Sequence, residues 1–203
     1  NLISNNYKVD KNLLLSLMGI ETNFGKYLGK MDIISSLATL SFDKRRSNFF
    51  TKELLTLLNL IDNKVINPNI LFGSWAGAFG NFQFMPTTIK KYAIDYNENN
   101  NIELKDIEDS IASAANYISK IGWKKNELCY LKIKLKDNVP KRYLNSSAKK
   151  IKNHAKIKKL KKFIKNYENY NLDENIMSAI IIPDKNIIPD SKNLSPAFLV
   201  FRN

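Results

Sequence analysis

The stretch LLLSLMGIETNFG, residues 13–25, decides how the first half of the chain reads. Leu14, Leu17, Met18 and Glu21 fall at i, i+3, i+4 and i+7, one stripe of an amphipathic helix that should face a core. Asp10 suits its N-cap and Gly25 its stop. A carboxyl group on an apolar stripe loses hydration, so its charged form is disfavoured and its pKa is expected to rise. That would make Glu21 a proton donor near neutral pH, as a general acid must be. The competing reading is a buried glutamate neutralised by Arg or Lys.

Working outward, residues 10–123 read as mainly helical. Asp32 can cap IISSLATL, and RSNFFTKELLTLLNLID sets Phe49, Phe50, Leu54, Leu57, Leu58 and Ile61 on another apolar face. A helix from about Pro86 to Ala93, a polar loop and DIEDSIASAANYISKIGW complete this part. After Trp123 the texture changes. LCYLKIKLK alternates like a half-exposed strand, and MSAIIIPD and PAFLVF read as short buried strands. Between them, Lys149–Lys165 holds nine lysines and no acid. Its apolar residues Ile151, Ala155, Leu160, Phe163 and Ile164, with Tyr167 just beyond, predict a helix with one sticky face. The expected class is α+β, mainly α: a helical domain over 1–123 and a small basic α+β subdomain over 124–203.

Composition narrows the function classes. At 203 residues with 44% hydrophobic content the chain is globular, and no apolar run approaches the roughly 20 residues that span a bilayer. Cys129 is the single cysteine, so an intrachain disulfide is excluded. The single histidine, His154, lies inside the lysine run, which argues against a zinc site. The net charge of +13 suits an anionic partner, or reflects a lysine-rich composition spread over a solvated surface.

The segment GSWAGAFGNFQFMP, residues 73–86, lacks the Gly-Lys-Ser/Thr ending of a phosphate loop. It combines glycines and aromatics with two neutral hydrogen-bonding groups, Ser74 and Gln83, a mixture suited to sugar rings. The alternative is a glycine corner of the core with Trp75, Phe79 and Phe82 as filler. Residues 95–106, DYNENNNIELKD, place Asp95, Asn97, Asn99, Asn101 and Asp106 at positions 1, 3, 5, 7 and 12 of an EF-hand-like loop. Asn101 would offer its carbonyl, and Asn100 stands where glycine is usual. With so few charges, any calcium held there would be weakly bound; a solvated polar loop is the other reading.

GIETNFGKYLGK, LATLSFDKRR, GSWAGAFGNFQFMPTT and ANYISKIGW stand in the order found in membrane-bound lytic murein transglycosylases of the B type, and the chain resembles that family of the lysozyme superfamily. The resemblance is dense from Asp10 to Trp123 and thin through the lysine run. It implies a lysozyme-like catalytic domain in which Glu21 is the sole catalytic acid. Ser74, Gln83 and Tyr117 would contact the sugars, and Arg45 and Arg46 the muramyl portion of the glycan. Phe49 stands where relatives often carry a tyrosine, so a hydroxyl contact is lost.

Ordinary glycosidases use two carboxylates, and the sequence offers no second acid in a setting like that of Glu21; Asp32 and Asp43 read as cap and turn residues. The resemblance implies a one-acid lyase that cleaves the muramic acid–glucosamine bond with closure of a 1,6-anhydro ring. No cofactor is required for the chemistry. The partner implied is the peptidoglycan glycan strand, met in the periplasm by a monomer, with a membrane anchor expected in a longer native protein. The end at Asn203, short of the family's final strand, leaves a murein-binding relative or fragment without turnover as the alternative. A basic module for nucleic acid or anionic lipid is the third reading, and no nucleic-acid motif accompanies the charge.

Overall fold

The computed structural model describes residues 1–125, 127–149, 151–183 and 196–201. Asn203, where the sequence reading sets a break before a final strand, lies outside the described residues, as do Lys150 of the lysine run and Asp184 after MSAIIIP. The chain divides into two compact units, Asn1–Lys125 and Asn126–Asn203.

The first unit contains α1 (Leu2–Tyr7), α2 (Lys11–Thr22), α3 (Ile33–Phe42), α4 (Ser47–Asp62), α5 (Pro86–Tyr92) and α6 (Ile107–Lys120). A minimal antiparallel pair, β1 (Met31–Asp32) with β2 (Phe72–Gly73), is set among them. Local chemistry starts the helices. Asp10 accepts from the amides of Asn12 (2.7 Å) and Leu13 (3.3 Å), and Asp32 accepts from Ser35 N at 2.7 Å. α3 packs on α4, α4 on α5, and α1, α2 and α5 on α6. Leu14, Met18, Ile33, Leu37, Leu57 and Ile89 are among the side chains that close their core. Full burial of each such side chain contributes roughly 1.5–3 kcal/mol.

Two apolar faces turn differently from the pattern read in sequence. On α2 the buried set is Leu14, Met18 and Thr22, while Glu21 is exposed. The i, i+4, i+8 row runs through Thr22, and Glu21, one residue back, is rotated about 100° away from it. On α4 the buried set is Phe50, Glu53, Leu57 and Leu60, with Phe49 and Leu58 41% and 43% exposed. A carboxyl group does therefore sit in this core, but it is Glu53.

The second unit carries a five-stranded sheet ordered β3-β7-β6-β4, with β5 also paired to β6. The strands are β3 (Tyr130–Ile133), β4 (Leu144–Asn145), β5 (Ala155–Lys156), β6 (Met177–Ile181) and β7 (Ala197–Phe201). β3, β7 and β6 are antiparallel, whereas β4 runs parallel to β6. β6 is the buried centre: Ser178, Ala179, Ile180 and Ile181 are all buried. The lysine run does not make the long helix its apolar residues suggest. It supplies β5, one turn of helix α7 (Ile157–Leu160) and a 3-10 turn, Lys161–Phe163. Lys158, Lys161, Lys162 and Lys165 would repel at i+3 and i+4 in a helix, and the chain instead buries Ala155, Ile157, Leu160, Phe163 and Ile164 along an irregular path.

Candidate active site

The site is built where α2 ends. The helix stops at Asn23, two residues before Gly25: Asn23 N bonds to Gly19 O and Phe24 N to Met18 O. Asn23, Phe24 and Gly25 then take φ values of 49°, 58° and 81°. Three successive left-handed residues, one of them a phenylalanine, are a costly path that the surroundings must hold in place.

Thr22 does the holding. Its hydroxyl is shared between Met18 O (3.1 Å) and Asn81 O (2.9 Å), and it accepts from Gly25 N at 3.0 Å. Asn81, 2% exposed, donates its own amide N to Leu104 O at 2.8 Å. Its side-chain Nδ2 reaches Ser110 Oγ (2.9 Å) and Lys105 O (3.1 Å). The turn after Glu21 is thus joined through Asn81 to the start of α6. Glu21 itself stays exposed on the last turn of α2, so the expected desolvation on a buried stripe is not what this helix provides.

Asn81 belongs to a tight hairpin. Phe79 and Phe84 exchange both backbone hydrogen bonds (3.1 and 2.9 Å) around Gly80–Gln83. Gly80 has φ 78°, and an added Cβ would lie 2.5 Å from Leu104. Gln83 also takes a left-handed φ of 50°. Its Nε2 donates to Gly80 O (3.0 Å) and Leu28 O (3.3 Å). With both amide hydrogens engaged, Oε1 is the group left without a partner among the described residues.

Ser74 lies in the preceding turn, exchanging backbone bonds with Ala78 and Gly77, and its Oγ accepts from Ala78 N at 3.1 Å. Gly29 fixes how close this turn comes to the segment after Glu21: a Cβ there would be 2.1 Å from Gly73 O. Tyr117 on α6 meets the hairpin edge-on through Phe84, with centroids 5.9 Å apart, and touches Tyr92 at 5.1 Å. Glu21, Ser74, Gln83 and Tyr117 therefore stand on linked segments.

Arg45 and Arg46 belong to the α3–α4 turn. Arg45 is paired with Asp43 at 2.8 Å, a contact that lowers the Asp43 pKa and raises that of Arg45. The Arg46 guanidinium lies over Phe49 (4.7 Å) and Phe50 (4.9 Å). These bonds tie both arginines to their own turn.

Trp75 and Glu53 were missed in sequence. Trp75 is 68% exposed while Phe79 and Phe82 are buried, so the core-filler reading holds for the phenylalanines and fails for the tryptophan. Glu53, 2% exposed, accepts from Thr87 N (2.8 Å) and Thr87 Oγ1 (2.7 Å) at the first turn of α5. There it serves free helix-terminal donors and the helix dipole. Its place on the Phe50–Leu57–Leu60 row was the available signal.

The polar loop departs from the twelve-position scheme. Asp95 accepts from Asn99 N and Asn100 N, Asn97 from Asn99 N, and Asn99 from Asn101 N. Asn100 takes the left-handed φ of 67°. Asp106 does not reach back across the loop: its carboxylate caps α6, accepting from Glu108 N (2.8 Å) and Asp109 N (3.2 Å). The group that closes the loop is Asp109, fully buried, which accepts from Tyr96 N and Glu103 N at 2.9 Å each. Ser113 Oγ receives Ile94 N, and Asn116 donates to Tyr92 O, so one face of α6 holds the chain entering the loop. Among the described residues no group of three His, Cys, Asp or Glu side chains is disposed to hold a metal. Asp106, engaged at the N-terminus of α6, is therefore not the group that closes the loop.

Comparison with known proteins bears on the fold and the family. Membrane-bound lytic murein transglycosylase B of Escherichia coli (strain K12) is 41% identical over 122 residues, 60% of this chain and 34% of that protein. SltB3 from Pseudomonas aeruginosa, solved in complex with NAG-NAM-pentapeptide, superposes with a TM-score of 0.83 at 25% identity, covering 98% of this chain and 52% of that one. The E. coli lytic transglycosylase Slt35 in complex with calcium gives 0.77 at 27%, covering 100% and 60%. The chain thus spans 34% to 60% of the length of these relatives. The α+β, mainly α architecture is that of the lysozyme-like lytic transglycosylases. The profile of the Transglycosylase SLT domain matches residues 1–203 from end to end, and the chain belongs to that family.

Proposed function

We propose that this chain cleaves the β-1,4 bond between N-acetylmuramic acid and N-acetylglucosamine in peptidoglycan, with Glu21 as acid and then base. The observation that carries the reading is an exposed carboxyl at the end of α2, whose exit is hydrogen-bonded to a hairpin that offers Gln83 and, in the adjoining turn, Ser74. An exposed acid can be reached by a polymer, and the bound glycan would itself exclude water from it.

Glu21 donates its proton to the glycosidic oxygen as the bond to muramic C1 breaks, and the substrate's N-acetyl carbonyl stabilises C1. The ionised Glu21 then takes the proton of the muramic C6 hydroxyl while O6 bonds to C1. The products are a 1,6-anhydromuramyl end and a glucosamine-terminated strand, with no water consumed. Gln83 Oε1 and Ser74 Oγ orient the reacting sugars, Tyr117 flanks them, and Arg45 and Arg46 meet the muramyl side; such positioning rivals the acid in effect. No cofactor enters these steps. Calcium, present in the complex of the Slt35 relative, would here meet Asp95, Asn97, Asn99 and the Asn101 carbonyl without Asp106, and weak occupancy is proposed. The place of action proposed is the periplasm, as a monomer, with an anchor carried by a longer protein. Among the described residues no helix is long and apolar enough to cross a membrane.

Murein binding without turnover is the second reading. It is favoured by the exposure of Glu21, which leaves desolvation of the acid entirely to the substrate. Digestion of purified sacculi by the chain and by Glu21→Gln, with products read by mass spectrometry, separates the two. Anhydromuropeptides from the unsubstituted chain alone are expected. Reducing-end sugars would mean that water attacks and the mechanism is wrong. Binding without products from either chain would leave the second reading.

A further inference from the structure

The lysine run, which takes no part in the chemistry above, builds a groove in the second unit. Leu135 bridges to Ile164, with Lys136 N bonded to Phe163 O (2.9 Å) and Lys165 N to Lys134 O (2.8 Å). This pairing turns Leu135 and Ile164 into the core and leaves Lys134, Lys136 and Lys165 exposed. Lys161 and Lys162 complete one lining, and the open space between them is about 780 Å³. The one carboxylate in that lining is Glu168.

The charges do not cancel. Among the described residues Lys161 alone of the five has an ion-pair partner, Glu174 at 2.6 Å, and Lys162 lies over the Phe163 ring at 5.0 Å. Lys134, Lys136 and Lys165 form no ion pair with a carboxylate among the described residues. Lys134 and Lys136, two apart on extended chain, set their stems about 7 Å apart on one side. Five ammonium groups facing one lining carboxylate repel one another, and an anion entering the groove reduces that repulsion.

We infer that the Lys134–Lys136–Lys165 groove binds the free carboxylates of peptidoglycan stem peptides, as a second contact with the polymer besides the Glu21 site. The choice of ligand rests on the peptidoglycan reading above. A stem peptide carries several carboxylates on a flexible chain, which suits lysines that act as separate point charges rather than as a planar fork.

The test is retention on purified sacculi, read in the Glu21→Gln background so that binding is scored whether or not the chain cleaves. Three arms are compared: native sacculi, sacculi whose carboxyl groups are blocked as neutral amides, and native sacculi with Lys134→Glu/Lys136→Glu/Lys165→Glu, its fold checked by circular dichroism. The expected result is retention at about 0.1 M salt and release at about 1 M, where the screening length falls from about 10 to about 3 Å. Blocking the carboxyl groups, or reversing the three charges, should each reduce retention about tenfold or more. Equal retention on native and blocked sacculi overturns the proposal, even if the triple variant does not fold. Retention on duplex DNA or on anionic phosphatidylglycerol vesicles that needs the three lysines, without such dependence on sacculi, also overturns it.

Discussion

Thr22 and Asn81, 59 positions apart in the chain, are joined by a 2.9 Å hydrogen bond from the threonine hydroxyl to the asparagine carbonyl. Through that bond the strained exit of α2 leans on a hairpin that is itself bonded to α6. Thr22→Val removes the hydroxyl and leaves Gly25 N and Asn81 O without it. Asn81→Leu keeps the main-chain carbonyl that Thr22 uses but takes the side-chain N–H from Lys105 O and Ser110 Oγ. Each is expected to destabilise the first unit by about 1–3 kcal/mol, and the pair to be non-additive by about 0.5 kcal/mol or more. Urea unfolding of the two single variants and the double variant measures both quantities. If the turn positions Glu21, turnover on glycan falls more than apparent affinity does.

The two glutamates should separate stability from chemistry. Glu21 is exposed, so Glu21→Gln should leave the melting temperature nearly unchanged, within about 0.5 kcal/mol, while abolishing product. Glu53 is buried against Thr87, so Glu53→Ala should cost about 2–4 kcal/mol, since it opens space and leaves Thr87 N unsatisfied. Calorimetry of both variants beside sacculus digestion checks the division. A large loss of stability in Glu21→Gln would contradict the exposed placement.

Trp75 presents most of its ring to solvent next to Ser74. Trp75→Ala is expected to change stability by less than about 0.5 kcal/mol. An aromatic face that stacks on a sugar would show instead as weaker glycan binding, by roughly 0.5–1.5 kcal/mol. Titration with soluble glycan fragments, beside a thermal melt, tests this.

Asp32 supplies a pH dependence of known sign. The Ser35 backbone N–H bonded to its carboxylate lowers its pKa in the folded chain. The stabilisation is therefore present above the unfolded value of about 3.9 and is lost as pH falls through the lower folded value. Asp32→Asn can still cap α3 but does not titrate. Its unfolding midpoint should match the parent near neutrality and fall less steeply than the parent's in acid.

The caps at Asp10 and Asp32 were legible because a cap is a local event, set by a side chain and amides two or three residues on. The helices of the first unit from α2 onward and the strands at Tyr130, Met177 and Ala197 were legible for a similar reason, since their apolar periods lie within single elements; α1 (Leu2–Tyr7), which buries no side chain fully, carried no such signal. The phase of a face was less so. Moving the α2 row by one residue exchanges Thr22 for Glu21, and only the distant carbonyl of Asn81 decides between them. Asp106 against Asp109 has the same origin: twelve-position spacing points to Asp106, and the bonds to Tyr96 N and Glu103 N show that Asp109, three residues on, closes the loop. The lysine run misled because its apolar residues serve a sheet edge and a turn instead of one helix.

The anchoring of the polar loop has a practical consequence. Asp109, Ser113 and Asn116 grip its base from a helix already built into the core. The tip around Glu98–Asn100 is exposed and, among the described residues, bonded only to the loop itself. The tip should therefore behave as an exchangeable cassette. A fluorophore attached at Glu98, which is exposed and is not among the proposed calcium contacts, can be carried there without disturbing the turn after Glu21, giving a reporter position.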